Sequence, residues 1–295
     1  MTGGSTRTED RLLSVYRNRR VVLSTKHEKE RAVSLPLKAG LGMDVVVPEE
    51  LDTDALGTFT GEIPRTGHPR DVAAKKARLG MAEVGLPLGL ASEGSFGPHP
   101  HVPFVAGNQE ILVFVDDQLG VEVAEQVLST KTNYAHQKAS SLEELRDFLR
   151  RVGFPGHGLV VRPDTPFAPE TMEKGIVAHS KLHEAIGRSK ILSENGLVHV
   201  ETDMRAHVNP TRMRTIRRVA IKLARRLGER CPECSTPGWG VADVEKGLPC
   251  RLCGYPTDLV RDEVHACPRC DHRRELPRQD GLREADPRYC LLCNP

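Results

Sequence analysis

All eight cysteines of this 295-residue chain lie between Cys231 and Cys293, and they fall into four Cys-x-x-Cys pairs: Cys231/Cys234, Cys250/Cys253, Cys267/Cys270 and Cys290/Cys293. A turn of this kind presents two thiolates to one ion, and a second pair about 15 to 20 residues on completes a tetrahedral four-thiolate zinc site. The gaps are 15 residues between the first two pairs and 19 between the last two. Two structural Zn2+ ions are therefore expected, in a tail whose small apolar content leaves metal to supply the folding free energy. Four thiolates leave no open coordination position, so this zinc is not catalytic. Disulfides are disfavoured in a reducing cytoplasm. The facing knuckles favour consecutive pairing into tandem ribbons; a cross-brace by alternate pairing is the other arrangement. With nine Lys/Arg against eleven Asp/Glu from residue 231 onward, the tail reads as a scaffold or protein-contact module before a nucleic-acid reader.

Four polar loops elsewhere carry groups suited to phosphate chemistry. Ser24-Thr25-Lys26-His27-Glu28-Lys29 follows an apolar run and opens a helix, where backbone amides and the helix dipole favour an anion; Ser24, Thr25 and Lys29 are candidate phosphate ligands. Gly57 to Glu62 precedes an Ala-rich helix, and Glu62 is a candidate for metal. Glu93, within Ala91 to His101, stands between small residues that allow close ligand approach, and a carboxylate there needs a partner or an ion. His99 and His101 are read as loop hydrogen-bonding groups. The stretch Glu201 to Arg212 gathers Asp203, Arg205, His207 and Arg212, a density that suits anion recognition or acid-base work. Lys174 and His157 are weaker candidates.

The elements that must hold these loops are short apolar runs alternating with helical patterns. Residues 21–23, 44–47, 88–91, 111–115, 121–123, 159–161 and 197–200 read as strands, and helices are expected from Lys29, Pro69, Ser141 (a capping box with Glu144), about Ile176, and Pro210. That alternation argues α/β with a mixed, mainly parallel sheet, Asp116 to Gly120 making one hairpin. The expected organisation is a basic leader (1–20), an α/β domain (21–230) and the zinc-ribbon tail (231–295). In the last helix of the α/β part an apolar stripe from Met213 to Leu227 opposes eight cations with a single acid, Glu229. That helix could dock on the acidic tail or bind nucleic acid. A net charge of +2 does not by itself announce a polyanion partner. No run has the length of a membrane helix and the first twenty residues form no secretory signal, so the cytoplasm is the expected compartment.

The order strand, Ser-Thr-x-x-x-Lys loop, helix, strand, Thr-Gly-Glu loop, Ala-x-x-Lys-Ala helix and Gly85 to Gly97 resembles the inosine/xanthosine triphosphate pyrophosphatase superfamily over about residues 21 to 100. The resemblance implies that Lys29 contacts phosphate, that Glu62 and Glu93 serve a catalytic Mg2+, and that the Asp203 to Arg212 loop faces a base. Across the whole chain, Ala-Ser-Glu-Gly-Ser-Phe-Gly-Pro-His-Pro, Glu-Thr-Asp-Met-Arg-Ala-His, Asn-Pro-Thr-Arg-Met, Pro-Gly-Trp-Gly and Cys-Asn-Pro resemble an uncharacterised bacterial family with a zinc-ribbon tail, which carries no activity with it. The leading expectation is a metal-assisted phosphohydrolase acting on a nucleotide or another phosphorylated small molecule, with Glu93, Glu62, Asp203 and His207 catalytic and Arg205 and Arg212 neutralising charge. The other is a non-catalytic zinc-ribbon protein that recognises an anionic ligand, RNA or a protein.

Overall fold

The computed structural model describes residues 15–49, 51, 67–100, 102–166 and 168–295. Its first sheet grows around β1 (Arg20–Ser24), a β-branched run with Val21, Val22 and Leu23 fully buried. Helix α1 (Glu30–Leu41) follows and stops at Gly42, whose φ of 69° only glycine adopts without strain. The chain returns as β2 (Asp44–Val46), parallel to β1. Helix α2 (Pro69–Val84) has His68 as its N-cap and Pro69 at its first turn, and leads to β3 (Leu88–His99), parallel to the other side of β1. A long antiparallel meander, β4 (Val102–Asp116) and β5 (Val121–Ser129), completes the order β2-β1-β3-β4-β5. Asp116 builds the connecting turn by accepting from the N–H groups of Gln118 and Leu119.

Between β5 and the last helix sits a second layer with its own core. Strands β6 (His136–Ala139), β7 (Leu159–Pro163), β8 (Glu173–Ile176) and β9 (Val198–Thr202) form an antiparallel sheet of order β6-β9-β7-β8. Helices α3 (Arg146–Val152) and α4 (His179–Ile191) cover it, burying Phe148, Leu182 and Ile186 against Leu159, Val161, Val198 and Val200. Helix α5 (Pro210–Gly228) then closes the first sheet beside α1, its stripe of Ile216, Val219, Ala220, Leu223 and Leu227 in one cluster with Leu23, Leu90 and Phe114. Helix α2 packs on the opposite face, against Ala91 and Val113.

The α/β class and mixed sheet with flanking helices are thus present, but among the described strands only the two pairings of β1 are parallel. A mainly parallel sheet is corrected to an evenly mixed one, with two parallel and two antiparallel pairings, beside a second sheet that is antiparallel throughout. Residues 91–99, read as a loop for their glycines and serines, continue β3. Ser141 and Glu144 form a turn ahead of α3 and not its first residues, Ser141 Oγ accepting from the Glu144 N–H at 3.4 Å. Ile176 ends β8, and the helix begins at His179. No helix among the described residues is long and apolar enough to cross a membrane.

The tail is a three-stranded antiparallel meander, β10 (Gly240–Lys246), β11 (Val260–Ala266) and β12 (Arg273–Pro277). It docks on the body through Arg226 of α5, which donates to the Gly238 and Ala124 carbonyls at 3.1 and 3.2 Å.

Candidate functional site

Chain direction decides which loops meet. From β1 the path goes to β2 on one side and then, through α2, to β3 on the other, with α1 and α2 on opposite faces. The carboxyl ends of β1 and β3 therefore lie at a switch in strand order, the place where open α/β sheets form a crevice. Strand β1 ends at Ser24, opposite Ala91, while β3 runs on, so the edge of residues 92–97 is open to the loop that leaves β1. Within that loop Glu28 takes φ 54°, a left-handed turn unusual for a side-chain-bearing residue. Lys29 follows, caps α1 and sends its ammonium inward: Nζ donates to the Ser92 carbonyl at 3.1 Å and to Ser92 Oγ at 2.9 Å.

Two buried ion pairs stand astride β3. Side-chain alternation puts Glu93 on the α2 face, where Lys76 Nζ meets its Oε1 at 2.6 Å, and Gly94 on the α5 face. There Gly94 lies opposite Glu110 of β4, whose carboxylate receives Arg212 Nε at 2.7 Å, both side chains being almost fully buried. Arg212 also donates to the Met204 carbonyl at 2.6 Å and lies over the Phe96 ring, 5.4 Å from its centroid. A Cβ at position 94 would collide with both the guanidinium and the carboxylate. Gly94→Ala should accordingly lose about 1 to 3 kcal/mol, the usual cost of overpacking, read as a lowered midpoint in urea denaturation. An unchanged midpoint would mean that the pair has room to move.

The stretch before α5 is drawn in by the same network. Asp203, 1% exposed, accepts from the Gly175 N–H at 3.0 Å, from the Arg205 N–H, and from the Arg205 guanidinium at 2.6 Å. Asn209 caps α5 by accepting from the Arg212 N–H, and its amide donates to the Asp203 carbonyl. His207 stacks on His27 with ring centroids 5.3 Å apart, which joins this stretch to the loop after β1. Three of the four polar stretches thus converge. The fourth, with Glu62, lies outside the described residues, as does His101. An open cleft of about 490 Å³ adjoins the crevice between Thr25, Lys26, Glu28 and Val47, Pro48, Glu49. His157 donates to or accepts from Thr211 Oγ1 at 2.9 Å, at the start of α5, and Lys174 lies in β8.

The charge balance of this cluster is uneven. Lys76, Arg205 and Arg212 each pair with a carboxylate, in Glu93, Asp203 and Glu110; Lys29 makes no ion pair among the described residues, bonding the two oxygens of Ser92 while Glu110 and Glu93 act on it from further off. Burial, then the Arg212 charge, lowers the Lys29 ammonium to about 8, and burial holds His27 neutral, near 3. Elsewhere in the body the Ser24 hydroxyl, which lies against Gly80 of α2, and both amide atoms of the fully buried Asn108 have no hydrogen-bond partner among the described residues, nor has Nδ1 of His207 beside His27. Sequence reasoning missed Lys76, Glu110 and Asn108. A signal existed, since counting back by twos from the buried Phe114 and Leu112 puts Glu110 and Asn108 on the same inward face.

The eight cysteines gather into two groups, Cys231, Cys234, Cys267 and Cys270, and Cys250, Cys253, Cys290 and Cys293. This is alternate pairing, and it corrects the expectation of consecutive ribbons. The meander explains it, because each strand carries the chain from one end of the sheet to the other and successive knuckles land at opposite ends. Seven-residue strands separate those ends by about 20 Å, too far for neighbouring pairs to share an ion. Within the groups, Sγ–Sγ distances are 3.8 and 3.6 Å in the first and 3.9 and 3.6 Å in the second. A tetrahedral ion with Zn–S bonds of about 2.3 Å requires about 3.8 Å, so each group could hold one Zn2+.

The molecule is thus an α/β protein with a buried, cation-rich crevice and a tail built on two four-cysteine centres. The chain belongs to the family described as Domain of unknown function (DUF6671), whose model matches residues 76–295. No curated protein matches it. The matched span includes Lys76, Glu93, Glu110, Arg212 and every cysteine, and begins after the loop that carries Lys29.

Proposed function

We propose that the α/β body binds the phosphoryl group of a phosphorylated small molecule in the crevice at the carboxyl ends of β1 and β3, and that the tail is a zinc-built scaffold. The observation that carries the reading is Lys29, a buried ammonium whose partners are both oxygens of Ser92. A buried ammonium with no carboxylate in direct contact is costly even with Glu110 and Glu93 acting on it from further off, and an anion in contact offsets that cost. The amino end of α1 adds its dipole. The resemblance of residues 21 to 100 to a nucleotide pyrophosphatase superfamily adds nucleotides to the ligands to be tried.

A catalytic Mg2+ does not fit the described donors. Glu93, the acid expected to hold it, already meets the Lys76 ammonium at 2.6 Å, and Glu62 is outside the described residues. Hydrolysis is therefore one outcome of the test and not part of the reading.

The test is calorimetric titration of zinc-replete protein with pyrophosphate and with nucleoside triphosphates, inosine and xanthosine forms included, phosphate release with Mg2+ being followed in parallel. Lys29→Met should weaken binding at least tenfold while leaving thermal stability equal or higher, because it removes a desolvated charge. An anion binds the protonated lysine, whose value lies near 8, so affinity should fall about tenfold between pH 7 and pH 9. Binding that ignores both pH and the substitution, or no binding by folded protein, would overturn the reading.

A further inference from the structure

We infer that the solvent face of α5 is a docking surface for the phosphate backbone of a nucleic acid. Helix periodicity puts Arg214, Arg217, Arg218, Lys222 and Arg225 on the side opposite the buried stripe, and all five are exposed. Glu229 stands beyond the helix, so no acid interrupts the row. Among the described residues only Lys222 of the five reaches a carboxylate, that of Glu125 at 3.1 Å, and Arg214 donates to Thr211 Oγ1. Arg217, Arg218 and Arg225 have no ion-pair partner among the described residues.

The tail does not cover this face. It meets α5 through Arg226, which lies to one side and points to Gly238, and its Val241 to Val244 stretch lines a cleft beside Lys222 at the edge of the row. The row is also independent of the phosphoryl crevice, since Arg212 emerges from the buried side of the same helix.

The chemistry of the row selects among polyanions. From Arg214 to Arg225 it spans about 17 Å, over which duplex nucleic acid carries roughly ten phosphates. Four of the five cations are guanidinium groups, whose planar fork matches phosphate oxygens in pairs. A membrane surface would need apolar side chains to insert, and the helix has spent its apolar stripe on the core; Ile221, 36% exposed, is the sole large apolar residue on the outer face.

The experiment is fluorescence anisotropy on the full zinc-loaded chain with 20-base-pair DNA, 20-base-pair RNA and single-stranded RNA probes between 50 and 300 mM salt, roughly the range over which counterion release changes affinity most visibly. At least one probe should bind with an affinity that falls linearly on a log-log salt plot. Arg217→Glu, Arg218→Glu and Arg225→Glu together should weaken that binding by at least tenfold and flatten the slope by about 0.7 to 0.9 for each phosphate no longer neutralised. Circular dichroism and zinc content should match the parent, and the corresponding glutamine triple serves if charge reversal disturbs the helix. Absence of salt-sensitive binding by the parent would overturn the inference. So would full affinity in the triple variants, or binding to anionic vesicles or an acidic peptide in preference to every nucleic-acid probe.

Discussion

Stripping zinc with a strong chelator should unfold residues 231–295 while the α/β body keeps its secondary structure. The tail buries few apolar side chains: Leu248, Val264 and the small Ala285, with three of its cysteines buried beside them. So small a core cannot offset the chain entropy of some sixty residues, and ligation, worth roughly 10 kcal/mol or more per structural zinc, must supply the difference. Elemental analysis should give two zinc per chain. Alternate pairing makes a sharper forecast. Cys234→Ser should release one ion and open Cys231, Cys267 and Cys270 to alkylation, while Cys250, Cys253, Cys290 and Cys293 stay protected. Protection of Cys267 and Cys270 with exposure of Cys250 and Cys253 would restore consecutive pairing and refute alternate pairing.

Arg212→Met should be the most damaging single substitution in the body. It leaves the Glu110 carboxylate, with no exposed surface, facing the sheet without its cation, and it strands the Met204 carbonyl. Breaking a buried pair from one side costs roughly 3 to 5 kcal/mol, against a total stability of about 5 to 15 kcal/mol for a typical domain. Glu110→Leu alone should cost a similar amount, because a buried guanidinium is then unpaired. The double variant should recover much of the loss, since two apolar groups carry no desolvated charge. Urea denaturation of the four proteins gives the coupling directly. Single variants that lose less than about 1 kcal/mol would show that water or another group reaches the site.

How much of this was visible in the sequence depends on what each feature needs. The cysteine turns and the amphipathic stripe of α5 are local patterns, and both were legible. Apolar runs located β1, β2, β7 and β9, and one end each of β3, β4 and β5. Gly94 and Ser92 misled because their smallness reads locally as a loop, whereas Gly94 makes room for Arg212, more than a hundred residues away, and Ser92 receives the Lys29 ammonium. Lys76 was placed in its helix, but its partner Glu93 could be named only once β3 and α2 were packed. Short polar strands such as β6 and β8 have no apolar run to betray them. The pairing of the cysteines is fixed by strand direction, which spacing does not encode.

The interleaving of the two centres also has a bearing on how the tail is made. Cys250 and Cys253 lie within the span bridged by the first ion, and Cys267 and Cys270 within the span bridged by the second. Closing one ring gathers half the ligands of the other, so part of the second loop-closure entropy is already lost when its ion arrives. Zinc uptake should therefore be positively cooperative, with half-loaded chains scarce. During synthesis, tandem ribbons would let the first centre form once Cys253 had left the ribosome. The interleaved order delays it until Cys270, and the second until Cys293, so metallation comes late and nearly at once.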